Sequence, residues 1–214
     1  MRPKLLIWDW NGTILDDRKL CFAIENELLR ERGMREITEE WYLDHFSFPV
    51  QDYYRRMGYT FETESYEAVS AIFMERYRAR YRTCALRAGV LDVLNAAQAQ
   101  GFRQTLLSVT RQDDLILQAE TFGAAQCFSE ILGQADELAR SKTERAEAYL
   151  AACGIAPDDA LFIGDTDHDA ETAAAVGCRC VLLTGGHQSG TVLRRCGVPV
   201  FDSVRALWER IERI

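Results

Sequence analysis

The sequence predicts an α/β fold: a parallel sheet in a three-layer, Rossmann-like core, with an all-helical segment inserted after the first strand. Three observations carry that reading. A short apolar run, Leu5 to Trp8, stops abruptly at Asp9 and an Asn-Gly turn, as a buried strand does. From residue 17 to 86 the apolar positions recur at helical spacing. Beyond Gly89, short apolar runs alternate with helical stretches, the pattern of parallel strands covered by helices on both faces.

The elements follow in order. Within the insert, Leu20, Ile24, Leu28 and Leu29 mark one helix, and Val69, Ile72, Phe73 and Tyr77 another. Gly33, Pro49 and Gly58 interrupt the segment, and no strand is expected inside it. Residues 90–100 form a helix that Gly101 stops. Thr105-Leu106-Leu107 is a strand ending at Ser108. Helix 113–122, strand 129–132, helix 142–152, strand 161–163, helix 167–175, strand 180–183 and a last helix at 203–211 complete the chain. The predicted domains are an α/β core at 1–16 and 87–214 and a helical cap at 17–86, long enough to be a small domain and not a loop.

Composition bounds the function. The 214 residues are 48% hydrophobic and 27% charged, ordinary for a globular chain with a real core. A net charge of −8 disfavours nucleic-acid backbones and anionic membranes as partners. No apolar run approaches the ~20 residues of a membrane helix, and Asp9 cuts short the N-terminal apolar stretch, so a cytoplasmic location is expected. Seven cysteines, without a CxxC pair, are expected to be reduced thiols and not disulfides or zinc ligands.

In an open parallel sheet, ligands bind beyond the carboxyl ends of the strands. The first strand delivers Asp9 there, with Asn11 and Thr13 in the following turn. The second delivers Ser108 with Val109. A later strand delivers Asp165, followed by His168 and Asp169, and Lys142 begins the helix before that strand. These residue types suit phosphoryl chemistry. A carboxylate can attack phosphorus and split one hard step into two. Mg²⁺ takes one or two carboxylates, and Asp9 and Asp165 supply them. Lys142 would neutralise the transferring group, and Ser108 with nearby N–H groups would bind its oxygens. Thr110 competes with Ser108 for that place, and Ser108 is preferred because it directly ends the apolar run.

The motifs Asp9-Trp-Asn-Gly-Thr13, Ser108, Lys142 and Gly164-Asp-Thr-Asp-His-Asp169, in that order, resemble the haloacid dehalogenase-like superfamily, in its phosphoglycolate phosphatase-like branch. The resemblance covers the whole chain, cap included. It implies Mg²⁺ dependence, with the metal on Asp9, the Asn11 backbone carbonyl and Asp165, and a small phosphorylated metabolite enclosed between cap and core. In the cap, Tyr53, Tyr54, Arg55 and Arg56 form an aromatic and basic cluster, of which Arg55 is the expected substrate contact. Trp8 and Trp10 are expected in the core, with Trp10 a candidate wall of the site. His45 and His187 are assigned no role.

One departure matters. Phosphatases of this family carry an acid/base Asp two residues after the nucleophile, where this chain has Asn11. An amide cannot supply or take that proton, and positioned acid–base catalysis is worth ~10²–10⁴-fold. Four explanations stand at this point: a substrate whose leaving group needs no proton; a substitute acid, His168, Asp16 or Asp17; deamidation of Asn11 before Gly12; or binding without turnover. Phosphonate cleavage would need a cap lysine, and only Lys19 is present. Dehalogenation would use the same carboxylate without metal. Substrate identity and oligomeric state are not encoded in these motifs.

Overall fold

The computed structural model describes residues 2–134 and 141–211. The chain opens with β1 (Leu5–Trp8) and a two-residue β2 (Leu15–Asp16). Four helices follow: α1 (Arg18–Glu31), α2 (Glu39–His45), α3 (Val50–Arg56) and α4 (Tyr66–Arg80). The chain returns through β3 (Ala85–Leu86) and continues with α5 (Val90–Ala99), β4 (Arg103–Arg111), α6 (Gln112–Thr121) and β5 (Glu130–Gln134). It ends with α7 (Lys142–Cys153), β6 (Ala160–Gly164), α8 (Asp167–Val176), β7 (Arg179–Leu183), α9 (Gly190–Arg194), β8 (Val200–Phe201) and α10 (Val204–Trp208).

Six strands make one sheet in the order β5-β4-β1-β6-β7-β8, every pairing parallel. The chain works outward from β1 first to one side and then to the other, so the strand order reverses at β1, where a ligand crevice forms. All four residues of β1 are buried, and their alternation feeds two cores. Leu6 and Trp8 pack with Leu94, Leu115 and Leu207 from α5, α6 and α10. Leu5 and Ile7 pack with Leu150, Ala173 and Leu193 from α7, α8 and α9. A strand covered on both faces is why this run is continuously apolar. The helical insert buries a third cluster, built from Ile24, Leu28, Tyr42, Tyr53, Val69 and Tyr77.

The structure corrects several element bounds. A strand does occur in the segment expected to hold none: Ala85–Leu86 pairs antiparallel with Leu15–Asp16, so the two crossings between core and insert are tied into one ribbon. β4 does not stop at Ser108 but runs to Arg111, because a register shift between Leu107 and Arg111 lets it pair again with Gln134. The last helix is shorter than expected, with Ser203 outside it as N-cap accepting from the Ala206 amide. The short β8 lacked an apolar run long enough to signal a strand. All seven cysteines are free. Among the described residues, no helix is long and apolar enough to cross a membrane.

Candidate active site

Asp9 stands immediately past β1, its amide donating to Ile163 O at 2.9 Å, so the strand pairing continues one residue and aims the carboxylate off the sheet edge. Asp165 occupies the same place after β6. Gly12 adopts φ +71°, and a Cβ there would collide with the Asp165 carboxyl and the His187 ring, so the turn closes on the second carboxylate only with glycine. Gly186 is similarly close to Asp165.

The cluster is acidic and buried. Oxygens of Asp9, Asp165 and Asp169 lie within 4.8 Å of one another. Lys142 is wedged among them, Nζ donating to Asp9 Oδ1 at 2.6 Å and to Asp169 Oδ1 at 2.5 Å. The capping box of Ser141 and Glu144 starts α7 at this point and so fixes where Lys142 emerges. Asp169 Oδ2 accepts from the Asp165 and Thr166 amides and from the Thr166 hydroxyl, which stiffens the loop after β6.

One ammonium cannot neutralise three carboxylates. Burial pushes Asp9 up to about 7; Lys142 opposes the shift, while Asp169 and Asp165 add to it. Burial, with the Asp169 charge, raises Asp165 as well, against His187 and Thr13. In Asp169, burial is outweighed by Lys142 and the Thr166 hydrogen bonds, which hold it below the ordinary range. For Lys142, burial is outweighed by Asp169 and Asp9, so it stays protonated. The surplus of negative charge on hard oxygens fits a magnesium ion: Asp9 and Asp165 can offer oxygens, while Asp169 is occupied by Lys142 and the turn.

The sequence-predicted residues fall into three groups. Asp9, Asp165, Lys142 and Asp169 are brought into contact. Ser108 is buried at the neighbouring strand, its hydroxyl donating to Thr110 Oγ1 at 3.1 Å and its carbonyl accepting from Arg145 at 2.9 Å. Val109 beside it is 37% exposed. The remainder take other roles. Thr13, which the turn after β1 brings to this edge and which the sequence offers as a substrate-binding residue, is fully buried and donates to Asp165 Oδ1 at 2.7 Å. Arg55 was also expected on the substrate, but it stands half exposed on the insert, paired with Asp52 at 2.6 Å one turn earlier. Tyr53 is buried, donating to Glu25, and Arg56 reaches Ser47. Trp10 is not a wall of the site but lies in the core, its indole bonded to Gln118. His168 packs its ring on Phe48 of the insert, with centroids 4.6 Å apart.

The Asn11 side chain is held by Thr110, Asp17 and Tyr77. Its Oδ1 accepts from the Thr110 hydroxyl at 2.8 Å. Its Nδ2 donates to Asp17 Oδ2 at 2.6 Å and to Tyr77 Oη at 2.8 Å. Asp17 is fully buried and also accepts from the Gly12 amide, the Tyr77 hydroxyl and His187 Nε2. Its burial is outweighed by His187, Asn11 and Tyr77, which hold it ionised. His187 is the partner cation: burial opposes its charge, but Asp17 lifts it to about 9.

His187 was missed in the sequence, and the signal available was Gly185-Gly186 directly after a strand, a mark of close backbone approach. The segment it begins joins core to insert. The His187 amide donates to Asp165 Oδ2 at 2.7 Å, and its ring meets Tyr42 Oη at 2.6 Å. Gln188 bridges Asp167 and Phe46 O, and the Ser189 amide donates to Leu43 O.

A family model described as haloacid dehalogenase-like hydrolase matches residues 6–183. Phosphoglycolate phosphatase 1 of Pseudomonas aeruginosa is 27% identical over 217 aligned residues, covering 96% of this chain and 78% of that protein. The phosphoglycolate phosphatase of Rhodospirillum rubrum is 24% identical, covering 96% and 89%. A solved structure described as a predicted phosphatase from Clostridium acetobutylicum shares the fold at TM-score 0.83 and 18% identity, covering 100% of both chains.

Proposed function

The chain belongs to the haloacid dehalogenase-like hydrolase family, and from that premise we propose that it hydrolyses a small phosphorylated metabolite through a phosphoryl group carried on Asp9. The observation that carries this reading is the contact of Lys142 with Asp9 at 2.6 Å, inside a carboxylate cluster at the switch point of the sheet. The names of the relatives favour a phosphorylated hydroxy acid or a compound of similar size.

Asp9, Asp165 and the Asn11 carbonyl would hold Mg²⁺, whose charge when bound lets an anionic carboxylate approach an anionic phosphate. Asp9 supplies the attacking oxygen, and the bond between phosphorus and the leaving oxygen breaks as the new one forms. Lys142 shares its charge between Asp9 and the transferring group. Ser108 and the Val109 amide bind the equatorial oxygens, with the Ser108 hydroxyl held in place by the Thr110 amide. Water then cleaves the acyl phosphate and regenerates Asp9. The insert of residues 17–86 serves as the cap over this site, with the β2–β3 ribbon as its hinge and Tyr42, Phe48 and Tyr77 reaching His187, His168 and Asn11 of the core.

Asn11 decides which substrates are turned over well. Neither of its polar atoms can protonate an alkoxide, so leaving groups that need no proton are favoured. The test is phosphate release, with and without Mg²⁺, from acetyl phosphate, 2-phosphoglycolate and a simple alkyl phosphate. Release is expected to need Mg²⁺, with acetyl phosphate faster than the alkyl ester by roughly 10²-fold or more. Metal-independent halide release from a haloacid, or no turnover of any member, would overturn the proposal.

A further inference from the structure

We propose that Asp17 is a positioning residue that dictates an amide at position 11, by holding a buried acceptor against that side chain. The inference rests on the phosphatase reading and deepens it. Asn11 Nδ2 lies 2.6 Å from Asp17 Oδ2, with no room for water between them. Asp17 is fully buried and takes four further hydrogen bonds: from the Gly12 amide at 2.9 Å, the Tyr77 hydroxyl at 2.7 Å, His187 Nε2 at 3.1 Å and the Cys21 thiol at 3.8 Å. A side chain held on so many sides cannot turn away from residue 11.

These contacts orient the amide. The carboxylate accepts only, so Nδ2 must face Asp17 and Oδ1 must face Thr110, whose hydroxyl donates to it at 2.8 Å. An aspartate at position 11 would set two carboxylate oxygens 2.6 Å apart in a buried place. Either it swings out of the site or it is held with a shared proton, and neither state is a free acid/base beside Asp9. Asn11→Asp by itself therefore does not restore the missing catalytic group.

Exchanging both residues does. In N11D/D17N the amide at 17 donates to the carboxylate at 11, and its oxygen still accepts from Gly12 and His187. Tyr77 Oη stands 2.8 Å from one partner and 2.7 Å from the other, so its hydroxyl can reverse direction, donating to residue 11 and accepting from residue 17. Thr110 continues to donate to residue 11. The hydrogen-bond pattern of the site is kept while the carboxylate moves from 17 to 11, and His187, left without its counter-charge, donates to the residue 17 oxygen as a neutral ring.

The experiment is a double-mutant cycle of N11D, D17N and N11D/D17N, read by melting temperature and by kcat on an alkyl phosphate with Mg²⁺, near pH 8. N11D is expected to lower the melting temperature by on the order of 10 °C and to leave kcat within about threefold of wild type. The double variant is expected to recover most of the melting temperature and to exceed wild-type kcat by roughly 10²-fold or more. Restored stability without that gain in kcat would mean a merely structural pairing and would overturn the assignment of Asp17 as a positioning residue. Full gain from N11D alone without a stability loss, or strictly additive melting temperatures, would overturn the proposal. Turnover equal to that of Asp9→Asn in every variant would count against the phosphatase reading instead, and the melting temperatures would still decide the pairing.

Discussion

Asp9→Asn is expected to abolish phosphate release, by roughly 10⁴-fold or more, while making the metal-free protein more stable. The two effects separate because Asp9 is a charge the fold does not want. It sits buried beside Asp165 and Asp169 with a share of one lysine, and burial pushes it up to about 7. The unfolded side chain titrates near its ordinary value of 3.8. Between those two pH values the folded state holds the extra proton, so wild-type stability falls as pH rises. Above about pH 7 the whole penalty is present, on the order of 2–4 kcal/mol. Asparagine keeps the shape and can still accept from Lys142 without the charge. The gap between variant and wild type in thermal unfolding should therefore open from pH 4 to 7 and then level off, and Mg²⁺ should narrow it. A variant that is less stable than wild type near pH 8 would contradict this account of the cluster.

Lys142→Met has the opposite signature, with activity and stability falling together. The ammonium is almost wholly buried and holds two carboxylates, at 2.6 Å and 2.5 Å. Removing it leaves three like charges in one buried place, and stranding a buried charge costs about 3–5 kcal/mol. The same lysine touches Asp9, the proposed nucleophile, so kcat should drop by roughly 10²–10³-fold even where the protein remains folded. Chemical denaturation with and without Mg²⁺ checks the first effect and single-turnover phosphate release the second. Unchanged stability would mean that the carboxylates share protons and do not depend on Lys142.

The contrast between these two residues shows what the sequence makes legible. Asp9 and Asp165 are visible because each follows a short apolar strand at once and is framed by a glycine that the local backbone requires. Lys142 is visible by its interval, and the fold follows from alternation of apolar runs with helical spacing. Arg55 was less legible, because helical periodicity says that consecutive side chains diverge but not which one faces the cleft; in the structure it pairs with Asp52, half exposed. His187, Tyr42 and Tyr77 were invisible as site residues because their roles exist only across the core–insert contact. Tyr77 even read as helix core, and its buried ring does serve there while its hydroxyl reaches Asp17 and Asn11. Asn11 was legible as a departure, but its cause was not. Asp17 was one of several candidate acids in the sequence, and only the geometry makes it the acceptor that asks for an amide.

The central claim is that Asp9 carries the phosphoryl group and that Asn11 leaves water without a base to remove it. Rapid mixing of the Mg²⁺-loaded protein with p-nitrophenyl phosphate, whose leaving group needs no proton, tests both parts. The expected result is a burst of p-nitrophenolate approaching one per molecule, then a slow steady rate, with one phosphoryl group found on the peptide that contains Asp9 after acid quench. Turnover without a burst or a phosphorylated peptide, persisting in Asp9→Asn, would contradict it.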